Sequence, residues 1–152
     1  MTANAQIVTP RNIEILLVED NPGDIVLTRE AFRMADIGNS INIAEDGELA
    51  ITYLDKVSRH DPSVPRPDII LLDLNLPRRN GREVLEHVKQ HESLRRIPVI
   101  VLTTSDLPED INDSYNRHAN SYITKPLDMR QFMFIVSTIK DFWFGASMLP
   151  RT

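Results

Sequence analysis

The chain reads as an α/β protein, a doubly wound five-stranded parallel sheet flanked by five helices. Two observations predict this. Short, mostly apolar runs (Ile13 to Val18, Asp68 to Leu72, Ile97 to Leu102) suit strands buried on both faces. Segments with helical spacing alternate with them, which favours parallel strands joined by crossover helices.

The elements follow in order. After Ile13 to Val18, the acid pair Glu19-Asp20 ends the first strand, and Asn21-Pro22 supplies an N-cap and a first helical residue. Leu27, Ala31, Met34 and Ala35 form the face of that helix, and Gly38 is expected to close it. Ser40 to Ala44 is a weaker second strand, and Glu45 to Val57 a helix carrying Leu49, Ala50, Tyr53 and Leu54. Three prolines between Ser58 and Pro67 make that stretch a loop. Asp68 to Leu72 is the central strand, ending on Asp73. Pro77 and Asn80-Gly81 then turn the chain into a helix around Val84, Leu85 and Val88. Ile97 to Leu102 ends on Thr103-Thr104-Ser105, a short polar helix spans roughly Glu109 to Arg117, and Ser121 to Thr124 is the last strand. Lys125-Pro126 follows it, and Asp128 caps the final helix.

Composition narrows the function classes. The 152 residues carry 17 basic and 22 acidic side chains, a net charge of −5, which argues against a nucleic-acid-binding module. Cysteine is absent, excluding disulfides, thiolate zinc sites and cysteine nucleophiles. No apolar stretch is long enough to span a bilayer and no signal core precedes Pro10, so a cytoplasmic location is expected. The organisation expected is an N-terminal tail over 1–11, one domain over 12–144, and a C-terminal tail over 145–152. No output domain is expected, because the chain ends soon after the fifth helix.

In an open parallel sheet, ligands bind beyond the carboxyl ends of the strands. Here those ends gather Glu19, Asp20, Asp73, Thr103 and Lys125. Clustered carboxylates repel unless one takes a proton or a cation binds. Oxygen ligands without His or Cys favour a hard ion, and so few carboxylates suit Mg²⁺. Asp20 and Asp73 are the expected direct ligands, with Glu19 acting through water. Such an ion shields Asp73 from an anionic phosphoryl donor, with Lys125 pairing to the phosphoryl group and Thr103 donating a hydrogen bond to it. His87 and His91, four residues apart on a polar helix face, have no evident third ligand and are expected to be solvated.

The motifs "ILLVEDNPGD", "DIILLDLNLPRRNG", "VIVLTTS" and "YITKP", in this order and spacing, resemble a response-regulator receiver domain from about Ile13 to Ile139. With "RRIPVIVLTTS" and "DFWF", the chain looks closest to the small regulators paired with bacterial and cyanobacterial phytochrome kinases. The resemblance implies the flavodoxin-like receiver fold, with Asp73 accepting a phosphoryl group from a histidine kinase and the Asn75 carbonyl helping to bind Mg²⁺. It also implies a cis Lys125–Pro126 peptide and an aromatic switch at Tyr122 that follows Thr103. Phosphorylation is then expected to move Thr104-Ser105 and bias the face of the last two helices. Glu19 departs from the commoner Asp at the first acid.

Other readings differ in named residues. A phosphohydrolase with Asp73 as nucleophile often carries a second Asp two residues on, where Asn75 stands here. A flavin or nucleotide module would need a Gly-rich loop after the first strand, and only five glycines are present. An adaptor that is never phosphorylated would not need the acidic site. In the final helix Met129, Phe132, Met133, Val136, Ile139 and Trp143 form one apolar stripe. Ile135, Thr138 and Phe142 form part of a second, with Phe134 nearby. With Trp143 and Phe144 they are the expected homodimer interface, since one stripe suffices to dock a helix on a sheet.

Overall fold

The computed structural model describes residues 13–35, 39–126 and 128–146. Five strands are present: β1 (Ile13–Val18), β2 (Asn39–Ala44), β3 (Ile69–Leu72), β4 (Val99–Thr103) and β5 (Ser121–Thr124). They alternate with α1 (Pro22–Met34), α2 (Gly47–Ser58), α3 (Gly81–Gln90), α4 (Pro108–Asn116) and α5 (Met129–Ile139). The sheet is wholly parallel in the order β2-β1-β3-β4-β5. The strand order reverses between β1 and β3, and there the carboxyl ends of the strands open a crevice.

Alternation along the strands builds two cores, because successive side chains point to opposite faces. Ile15, Leu17, Ile69, Leu71, Ile100 and Leu102 pack with Phe32 of α1 and Phe132, Val136 and Ile139 of α5. Leu16, Val18, Ile70, Leu72, Val99 and Val101 pack with Ala50 and Leu54 of α2 and Val84, Leu85 and Val88 of α3. The three central strands are therefore apolar at almost every position, as two-sided burial demands.

Helix boundaries follow their caps. Asn21, Asp46, Asn80 and Asp128 each accept a backbone N–H at the start of α1, α2, α3 and α5. Because Asp46 is the cap, α2 begins at Gly47 rather than Glu45. α1 ends at Met34 with Ala35 as its cap, and Gly38 lies outside the described residues. The ends of α2 and α4 use histidines where glycine is the common choice. His60 (φ 59°) and His118 (φ 71°) are left-handed, with paired bonds from His60 N to Val57 O and from Asp61 N to Lys56 O closing the first.

After Ile139 the chain changes pitch into a π-helical extension, Lys140–Ala146, which runs past Gly145, the expected stop. There Trp143 packs against the α1–α5 core, and Lys140 Nζ donates to Ala35 O at 3.0 Å. The N-terminal tail and residues 147–152 lie outside the described residues. No described helix is long and apolar enough to cross a membrane.

Candidate phosphoacceptor site

The ends of β1, β3 and β5 converge on one ammonium. Lys125, directly after β5, is positioned by its backbone N–H bond to Thr103 O, 2.7 Å. Its Nζ lies 2.6 Å from Glu19 Oε1, 2.7 Å from Asp24 Oδ2 and 2.8 Å from Asp73 Oδ2. Glu19 and Asp73 are buried, and Asp20 beside them is exposed. Asp73 is fixed at both oxygens, since Oδ1 also accepts the Asn75 N–H at 3.0 Å. Its backbone N–H donates to Val18 O (3.0 Å), and the next residue is held by a bond from Gly81 N to Leu74 O (2.9 Å).

Electrostatics follow from burial. Loss of hydration pushes the Glu19 carboxyl up to about 7; Lys125 pulls it down and Asp73 adds to the rise. Burial alone would lower Lys125, but its bonds to Asp24, Asp73 and Glu19 outweigh that and hold it above its ordinary value. Carboxylate oxygens of Glu19, Asp20 and Asp73 all lie within 4.8 Å of one another. Three hard donors this close, only two of them paired with Lys125, fit a small divalent cation.

Thr103 ends β4 completely buried, and its Oγ1 has no hydrogen-bond partner. An orphan buried hydroxyl is costly and calls for an explanation, and at this strand end a group bound beside Asp73 would supply one. The next turn is tied down from several sides. Tyr122 OH donates to Ser105 O at 2.8 Å, Ser105 Oγ donates to Asp110 of α4, and Arg82 of α3 pairs with the same Asp110.

The geometry thus brings together Glu19, Asp20, Asp73 and Lys125, and places Thr103 and Tyr122 on the adjoining strands. Asn75 is exposed, touching the site through its backbone N–H. Lys125–Pro126 is trans rather than cis, the isomer that X–Pro bonds favour by about 0.5–1 kcal/mol. Sequence reasoning missed Asp24. Its signal is its place three residues after the Asn21 cap, which turns its side chain back toward the strand ends. His87 is not merely solvated, because its Nε2 lies 2.9 Å from Asp55 Oδ1 of α2.

The description "Response regulator receiver domain" matches residues 15–137. The chain belongs to that family. Receiver relatives extend over nearly its whole length. It is 43% identical over 136 residues to response regulator Rcp1 of Synechocystis, covering 90% of this chain and 92% of Rcp1. The Mn²⁺-bound structure of Rcp1 superposes with a TM-score of 0.83, covering 91% of this chain and 99% of that one at 41% identity. The phosphorylated cyanobacterial phytochrome response regulator RcpA superposes with a TM-score of 0.85 at 42% identity, covering 93% and 100%. A probable methanogenesis regulatory protein, FilR2 of Methanothrix harundinacea, is 41% identical and covers 90% of this chain and 86% of FilR2. This receiver is therefore a two-component response regulator with the flavodoxin-like fold.

Proposed function

We propose that Asp73 accepts a phosphoryl group from the phosphohistidine of a phytochrome-class kinase, with Mg²⁺ held by Glu19, Asp20, Asp73 and the Asn75 carbonyl. The observation that carries this is the double tether on Asp73. Asn75 and Lys125 hold its carboxylate at the mouth of the crevice, with the partnerless Thr103 hydroxyl at the end of the next strand but one from β1. When bound, the ion would neutralise carboxylate charge and stabilise the oxygens of the group in transfer. An Asp73 oxygen bonds to phosphorus as the donor imidazole nitrogen leaves with the bonding electrons. Lys125 then pairs with the phosphoryl oxygens and Thr103 donates its hydroxyl to them. Asn75 has no carboxyl group to serve as a general acid, so the protein is a stoichiometric acceptor rather than a turnover phosphohydrolase. The phytochrome class rests on the likeness to RcpA.

Intact-mass measurement after incubation with acetyl phosphate tests this reading. The expected result is one phosphoryl adduct that needs Mg²⁺ and is absent in Asp73→Asn. No adduct from acetyl phosphate or from a phytochrome kinase would overturn it and favour the adaptor reading.

The same protein is proposed to pair as a homodimer through α5. Phe134 is 73% exposed and Phe142 55%, large apolar surface for a chain to leave in water. Beside Phe134 a groove of ≈ 540 Å³ is lined by Thr124, Lys125, Pro126, Arg130, Gln131 and Ile135. An aromatic ring from a second copy would fill it, with the Arg130 cation at hand for its face. Thr138 is exposed on this helix, Ile135 and Trp143 are partly spent on the chain's own core, and the Phe144 side chain lies outside the described residues. Sedimentation equilibrium is expected to give a dimer for the wild type and a monomer for Phe134→Asp combined with Phe142→Asp. A monomeric wild type throughout the micromolar range would sink the proposal.

A further inference from the structure

Lys125 has three N–H donors, and three carboxylates use them. Two of these acids, Glu19 and Asp73, belong to the cation-holding group with Asp20. The third, Asp24, does not. It comes from the first turn of α1, and its side chain crosses to a residue 101 positions away in the chain. A helix-start acid is ordinarily accounted for by the positive end of the helix. Here the cap is already made by Asn21 Oδ1, which accepts the Asp24 N–H at 3.0 Å, so the Asp24 carboxylate is not needed for it. That carboxylate instead serves Lys125 at 2.7 Å while its side chain keeps 27% exposure, on the open side of the site.

Charge counting gives this contact a consequence. A divalent ion and Lys125 together balance the three charges of Glu19, Asp20 and Asp73. Asp24 is left over as one negative charge beside the acceptor, and a phosphoryl donor is itself an anion. Asp24 also holds an N–H of Lys125 that the incoming phosphoryl oxygens would use.

We propose that Asp24 is a positioning residue that restrains phosphorylation, drawing Lys125 toward α1 and leaving an uncompensated charge at the approach to Asp73. This rests on the reading of Asp73 as phosphoacceptor and deepens it. With acetyl phosphate the balanced step is attack of an Asp73 oxygen on phosphorus, with the phosphorus–oxygen bond to the acetyl group breaking and acetate leaving with the electron pair. No proton is required.

The test compares wild type, Asp24→Asn and Asp24→Glu in acetyl phosphate and saturating Mg²⁺, with Mn²⁺ affinity measured separately by calorimetry. Asn keeps the shape and an acceptor oxygen for Lys125 but removes the charge. It is expected to raise the phosphorylation rate about fivefold while leaving Mn²⁺ affinity equal to or below that of the wild type. Asp24→Glu, which keeps the charge, is expected to stay within about twofold of the wild-type rate. A residue that merely supported the fold would lose rate and ion affinity together. An unchanged or slower rate in Asp24→Asn overturns the inference while leaving the Asp73 reading intact. A wild type that takes up no phosphoryl group removes that reading and this inference with it.

Discussion

Replacing Lys125 with Met is expected to cost about 3 kcal/mol of stability at pH 8, and less at pH 5. The ammonium is the shared partner of three acids, and Lys125, Glu19 and Asp73 keep only 7%, 3% and 7% of their side-chain surface. Removing one member of a buried ion cluster leaves the rest uncompensated, which costs more than the cluster's net worth. The pH dependence comes from Glu19, which ionises near 7 in the folded chain against an ordinary 4.5. Below 4.5 it is protonated in both states, and above 7 it is ionised in both. Between these limits the folded chain holds the extra proton, so without a divalent ion wild-type stability falls as pH rises through that window. Without Lys125 the attraction pulling Glu19 down is gone, and the window stretches further upward. The deficit of the variant therefore grows from pH 5 to pH 8, as urea midpoints at the two values would show. An equal loss at both would assign the cost to the packing of the lysine stem instead.

Gly81→Ala is expected to be strongly damaging for a single added methyl group. A Cβ at Gly81 would stand 2.2 Å from Asp73 O and 2.5 Å from Leu74 Cα. Gly47 is tighter on paper, with a Cβ 1.6 Å from Arg79 O, yet Arg79 lies in an exposed loop. The atoms facing Gly81 are backbone of the buried β3 end, which carries Asp73. Alanine favours a helix over glycine by about 1 kcal/mol. Overpacking against fixed backbone costs about 3 kcal/mol, so the steric term wins. The expected outcome is a net loss of about 2 kcal/mol together with a reduced yield of the phosphoryl adduct. A thermal melt as stable as the wild type would refute it.

These two residues mark what a sequence can and cannot disclose. Glu19, Asp73 and Thr103 were legible because each ends an apolar run, and a polar residue at the end of a buried strand has few places to point. Lys125 was legible from its place beside Pro126, after the half-buried edge strand. The Asn21 and Asp128 caps were legible for the same local reason. Asp24 was not, since its meaning lies in a contact with the far end of the chain. Nor were the close approaches at Gly47 and Gly81, or the left-handed turns at His60 and His118, where no glycine announces the bend. The partner of His87 also lies on another helix, Asp55 of α2, beyond the reach of periodicity. Local pattern specifies the elements, and tertiary approach decides which side chains share a charge.

The ties at Ser105 have a mechanical meaning. Its carbonyl is held from β5 by Tyr122, its hydroxyl by Asp110 of α4, and Asp110 in turn by Arg82 of α3. A small drift of this residue strains all of these bonds before it breaks any, whereas a large one releases them together. Positions midway keep the strain and lose the bonds. On the proposed reading, partial phosphorylation of Asp73 is therefore expected to give two loop positions populated in proportion to occupancy, rather than one intermediate position.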